Sequence, residues 1–115
     1  MSRRRPEGIG HRAAFIAAAL LACRPAFAAD APRDLASLAS DRGCLSCHGL
    51  VRKQVGPGFA QIAERYRGDA SAAARLAAKI RNGSVGAWGR VIMPAQAHVT
   101  AEEAQRLAAW VLARP

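Results

Sequence analysis

Apolar residues recur at helical spacing in four stretches of the chain. Arg33 to Arg42 sets Leu35, Leu38 and Ala39 on one face and stops at Gly43. Pro57 to Arg67 opens on a proline suited to a first helical turn, then spaces Phe59, Ile62, Ala63 and Tyr66 at i, i+3, i+4, i+7 before Gly68. Ser71 to Asn82 repeats that spacing with Ala73, Leu76, Ala77 and Ile80, ahead of Gly83. In the last stretch Thr100 and Glu103 form a T-x-x-E capping box, and Ala104, Leu107, Ala108, Val111 and Leu112 follow on one face. Between the third and fourth stretches, Gly83 to Val99 is glycine-rich and has no sustained period. A loop of that length in a small domain is usually functional or disordered. Trp88 and the Ile92-Met93 pair argue here against disorder. No stretch alternates at period two, so no strand is expected. The pattern predicts a small all-α domain with one structured, unpaired loop.

Ahead of these helices the pattern is different. Arg3, Arg4, Arg5 and Arg12 precede an apolar run of ten, Ala13 to Ala22, after which come Pro25 and Ala26-Phe27-Ala28. Basic, apolar and small residues in that order predict a cleaved signal peptide over 1–28 and a mature domain over 29–115, exported to the periplasm. Ten apolar residues fall short of the roughly 20 that span a bilayer, so no transmembrane span is expected in the mature form. Leu20-Leu21-Ala22-Cys23 also resembles a lipoprotein cleavage box, which would anchor the chain through a lipid on Cys23. The cut near Ala28 is preferred, because Leu21 is not small and Pro25 and Ala26 suit that cut.

Cleavage changes the charge. From Ala29 onward 12 Lys and Arg stand against 7 Asp and Glu, a net +5 where the full chain carries +9. No basic cluster interleaved with aromatics remains, so nucleic-acid binding has little support. Cleavage also removes Cys23, leaving Cys44 and Cys47 as a pair. About 87 residues make a small core, and alanine fills many of its apolar positions. Such a domain calls for a staple, a metal or a large bound group at its centre.

The pair lies in Gly43-Cys44-Leu45-Ser46-Cys47-His48-Gly49. A dithiol redox motif belongs with alternating strands and helices, which are absent from the pattern. A zinc site needs four ligands, and beyond Cys44, Cys47 and His48 only His98 remains in the mature chain. A structural disulfide explains neither the histidine nor the deficient core. C-x-x-C-H is the attachment signature of c-type haem. In that reading Cys44 and Cys47 form two thioethers and His48 coordinates the iron. A large flat apolar group would also fill the centre that Ala-rich helices leave open. For the opposite face of the iron the candidates are Met93 and His98. Met93 is preferred, since Pro94 fixes it in an aperiodic loop 45 residues past His48, and a Met/His pair is a recognised ligation that raises the reduction potential. His98, beside the Thr100 cap, is expected at the surface.

From about Asp34 to Arg114 the chain resembles the small class I bacterial cytochromes c of the c-551 (c8) type. The segments "RGCLSCH", "QVGPGF", "IRNGSVGAWG", "IMP" and "EEAQRLAAWVL" carry the resemblance in order over nearly the whole mature domain. It implies four helices and a methionine-bearing loop wrapped around one covalent haem, with the first and last helices crossing. It also implies that the Pro57 carbonyl accepts a hydrogen bond from the His48 ring, a contact that orients an axial histidine. Trp88 and Lys79 fall where the family contacts a haem propionate. Gln96 falls near an asparagine whose amide contacts the methionine sulfur. Ala39 stands where relatives often carry an aromatic, implying weaker packing against Trp110.

An iron held by His48 and Met93 leaves no position for a substrate, so the expectation is a single-haem electron carrier and not an enzyme. Its partners would be redox proteins, met as a monomer in short-lived complexes. Arg52, Lys53, Lys79, Arg81 and Arg90 would steer an acidic partner. Two rivals remain: a dedicated haem subunit of a larger periplasmic oxidoreductase, and an open-site haem protein in which Met93 is not bound.

Overall fold

Helix ends in this chain are set by local hydrogen bonds, and those bonds also shape the loops between helices. The computed structural model describes residues 32–115, with side chains from Leu35 onward. The expected signal peptide and Cys23 lie outside the described residues. Four helices follow in order: α1 (Pro32–Asp41), α2 (Phe59–Arg65), α3 (Ala72–Asn82) and α4 (Ala101–Leu112), with a single 3-10 turn at Cys44–Ser46. No helix among the described residues is long and apolar enough to cross a membrane.

The cap at Thr100 forms as the sequence predicts. Its Oγ1 accepts from the Glu103 N–H at 3.1 Å, and the Glu103 carboxylate accepts from the Thr100 N–H at 3.0 Å. Arg42, just past the end of α1, pairs with Glu103 and so ties α1 to the start of α4. The second helix starts later than its pattern suggests. Gly58 is extended and donates its N–H to the Gln61 side chain at 2.9 Å, so helical backbone begins at Phe59 and not at Pro57. That delay has a consequence for the carbonyl of Pro57, which no longer belongs to the helix.

The stretch expected to be an unpaired loop without strands contains a two-stranded antiparallel hairpin, which corrects that reading of Gly83 to Val99 and leaves the four-helix architecture as expected. Strand β1 (Ser84–Gly86) pairs with β2 (Gly89–Met93), with Ser84 opposite Met93 and Gly86 opposite Gly89. The count of residues between those two pairs differs, so β2 carries a bulge. Gly86 and Gly89, both at φ 91°, flank the two-residue turn Ala87-Trp88, a conformation open to glycine at little cost. Alternation did not announce the strands because β2 is exposed at every position except Met93. Period two appears only when one face of a strand is buried.

The core is thin. Its buried members include Ala39, Ala77, Ala104 and Ala108 beside Phe59, Ile62, Leu107, Trp110 and Val111, and Val99 is the largest side chain buried completely. Ala39 has no exposed surface, consistent with the close approach of α1 and α4. The indole of Trp110 gets its aromatic neighbour from Phe59, edge-on at 5.4 Å, and Arg114 covers its face at 3.9 Å.

Candidate functional site

The 3-10 turn places Cys44 and Cys47 one turn apart, and the N–H groups of Cys47 and His48 both bond the Cys44 carbonyl. Both thiols are free, Cys44 half-buried and Cys47 exposed. Burial pushes the Cys44 thiol above its ordinary value. From His48 the chain folds back through an isolated antiparallel bridge to Lys53. The Cys47 carbonyl accepts the Gly56 N–H at 2.8 Å, closing the loop. The first N–H groups of α2, which have no partner within a helix, bond the carbonyls of Gly49 and Leu50 through Phe59 and Ala60. These bonds anchor the loop carrying His48 to the start of α2.

The imidazole of His48 is 9% exposed. Its Nδ1 lies 2.7 Å from the Pro57 carbonyl oxygen, which only accepts, so Nδ1 carries the proton and donates. In the neutral ring this leaves Nε2 as the nitrogen with a free lone pair, the one that can ligate a metal. Phe59 stacks on the same ring at 5.2 Å and 22°. On the other side Gly56 leaves no spare room, since a Cβ there would stand 3.0 Å from His48 Cε1. The ring is therefore fixed in tautomer and in tilt.

A cavity of about 240 Å³ opens beside this ring. Cys44, Cys47, His48 and Met93 all line it, as do Pro57, Lys79, Trp88 and Gln96. These eight residues thus share one space, contributed by the turn, the segment before α2, α3, the hairpin and the segment after it, while the other ligand candidate, His98, does not line it. Apolar side chains from α2 and α4, among them Ile62, Leu107 and Val111, complete the wall. The chemistry of the donor set suits an iron porphyrin: two free thiols at one edge, one bare imidazole nitrogen and one thioether, around an apolar volume that the protein's own side chains do not fill. Among the described residues no group of three or more His, Cys, Asp or Glu comes together as a zinc site requires.

Three further assignments have definite places in the structure. The amide of Gln96 donates to the carbonyl of Pro94 at 2.9 Å, while its backbone N–H bonds Ile80 at 3.0 Å. His98 is exposed, as expected, and its ring nitrogen lies 3.2 Å from the Arg42 carbonyl. Lys79 sits half-buried in the last turn of α3 at the cavity wall. Sequence reasoning used Phe59 only as a helix-face residue and missed its stack on His48. Its position directly after the G-P-G step, at a buried helix start, was the available signal. Arg65, which covers Trp88, was missed as well, and nothing in the spacing marks it.

Comparison with known proteins gives a consistent picture. The family model described as Cytochrome c matches residues 36–114. The chain is 46% identical over 84 residues to the cytochrome c-551 of Allochromatium vinosum, covering 71% of this chain and 89% of that protein. It is 48% identical over 75 residues to the cytochrome c-552 of Hydrogenobacter thermophilus, covering 65% and 76%. Its backbone is similar to the crystal structure of wild-type Nitrosomonas europaea cytochrome c552, with a TM-score of 0.68 at 40% identity over 70% of this chain and 99% of that one.

Proposed function

The chain belongs to the cytochrome c family, and from that premise we propose that it is a periplasmic single-haem electron carrier. Cys44 and Cys47 would tether the cofactor, and His48 and Met93 would ligate its iron. Haem c supplies a one-electron ferric/ferrous couple. The observation that carries the reading is that His48 and Met93, from separate parts of the fold, line one cavity together with both thiols. Pro57 presents the His48 ring with Nε2 bare, and a carbonyl partner of this kind raises the basicity of a ligating imidazole.

Met93 contributes a thioether, which favours the reduced state and raises the potential. With His48 and Met93 both committed to the iron, no position on it would remain for a substrate, which supports electron carriage over catalysis. Lys53 and Lys79 line the cavity, and Arg90 lies exposed on β2 beside it. Those charges favour brief encounters with an acidic redox partner by a monomeric carrier. Residues 1–28 act as the export signal and 29–115 as the functional domain.

Intact mass of the natively exported protein tests the reading. The expected value is that of a chain beginning near Ala29 plus one haem, with no lipid. Cys44→Ser/Cys47→Ser is expected to lose the covalent cofactor. A colourless product from a host able to attach haem would overturn the proposal.

A further inference from the structure

The hairpin that carries Met93 is held to the body of the protein at its base and at its tip, where one exposed arginine adds to the packing of Trp88 on the core. At its base, Gln96 just beyond Met93 bonds the Ile80 carbonyl of α3. Between base and tip, Val91, Ile92 and Met93 of β2 line the cavity, and no helix among the described residues covers Gly89 to Ile92. At the tip, Arg65, the last residue of α2, reaches the turn. Its Nη1 donates to the Ala87 carbonyl at 2.6 Å, and its guanidinium carbon stands 4.5 Å above the Trp88 ring. Both turn residues, Ala87 and Trp88, are thereby engaged by one group. Arg65 is exposed, and its only other role visible here would be as a surface charge. A planar fork that donates along its edge and stacks through its face suits that double contact, and an ammonium group meets it less well.

We infer that Arg65 is a positioning residue that straps the tip of the β1–β2 hairpin to α2 and so limits how often Met93 leaves the cavity. The inference rests on Met93 being an axial ligand. Release of the strap leaves β2 free to swing about its base at Gln96. An external ligand that needs Met93 out of the way binds with an apparent affinity set by the fraction of molecules in which it is out. A charge-assisted hydrogen bond and a cation–π contact on an exposed site together are large enough to raise that fraction about tenfold when removed.

Imidazole binding to the oxidised holoprotein reads that fraction, because the probe is neutral at mildly alkaline pH and insensitive to the loss of a surface charge. Arg65→Gln is expected to bind imidazole about tenfold more tightly than the wild type, and hydrogen exchange over residues 84–93 is expected to quicken. Arg65→Lys is expected to recover part of the difference. Arg67→Gln, which removes a neighbouring charge paired with Glu64, and Thr100→Ala, which weakens the cap of α4, are expected to leave imidazole affinity unchanged. Wild-type affinity in Arg65→Gln, with the thioether band present in the wild-type spectrum, overturns the inference alone. An equal gain in Thr100→Ala overturns it too, by reducing Arg65 to a source of general stability. If the wild type itself lacks the thioether band, the ligation reading fails first, and hydrogen exchange still decides whether Arg65 straps the hairpin.

Discussion

His48 and Pro57 are joined by a 2.7 Å hydrogen bond from ring Nδ1 to a carbonyl oxygen, and that bond exists because α2 begins at Phe59. Had Pro57 been the first helical residue, its carbonyl would have been used by the N–H four residues on. Extended Gly58 releases it to the imidazole instead. The backbone at Gly56 then presses on the same ring. Gly56→Ala is expected to force the ring to tilt and to destabilise the holoprotein by about 1–3 kcal/mol, the range for overpacking a filled site. Denaturant unfolding gives the energy, and the NMR shifts of the axial histidine give the tilt. An unchanged midpoint with unchanged shifts would show that the ring has slack.

Phe59 lies between His48 and Trp110, stacked on one and edge-on to the other. Each aromatic pair contributes about 0.5–1.5 kcal/mol beyond burial, so Phe59→Leu is expected to lose about 1–3 kcal/mol although leucine stays apolar. Chemical denaturation of the two proteins measures it. A loss well under that range would mean the rings are neighbours and little more.

Glu103 gives the fold a dependence on acid. Its carboxyl is held below the ordinary carboxylate range, first by the hydrogen bond from Arg42 and then by the N–H of Thr100. A group with a lowered folded value stabilises the fold above its unfolded value and loses that contribution as pH falls through the folded one. Stability should therefore decline on acidification below the ordinary carboxylate range. In Glu103→Gln, where the amide still suits the capping box, that part of the slope should flatten. Melting curves across the acid range compare the two. Parallel curves would remove Glu103 from the account.

Lys53→Glu with Arg90→Glu tests the basic rim. Electron transfer to an acidic redox protein is expected to slow severalfold or more at low salt and to converge on the wild-type rate at high salt, where exposed charges are screened. Rates that match at both salt concentrations would reduce these side chains to solubilising charges.

Much of this fold was legible because its helices bury one face each, and burial is what writes a 3.6-residue period into sequence. The capping box at Thr100 and the stop at Gly83 are local and could be read as such. The hairpin was not legible. Four of the five β2 positions are not covered by other parts of the chain, with Val91 and Ile92 lining the cavity, so its pairing leaves no alternation and depends on backbone turns at Gly86 and Gly89. The candidate site was legible in its chemistry, since C-x-x-C-H and the Met93-Pro94 step name the donors. Beyond the bond from His48 to Pro57 that the resemblance implies, sequence did not supply how the donors are held. The stack of Phe59 on His48 and the reach of Arg65 to Ala87 and Trp88 join residues whose spacing has no period. Gln96 shows the same limit, because the direction of a short amide is settled by the nearest carbonyl, here Pro94.

The visible and near-infrared spectrum of the oxidised protein tests ligation by His48 and Met93 most directly. A thioether-to-iron charge-transfer band is expected at the red end in the wild type. Met93→Ala should abolish that band, keep the covalent haem, lower the potential and admit carbon monoxide in the reduced state. A wild-type protein without the band that binds carbon monoxide readily, or a Met93→Ala protein that retains the band, would contradict ligation by His48 and Met93.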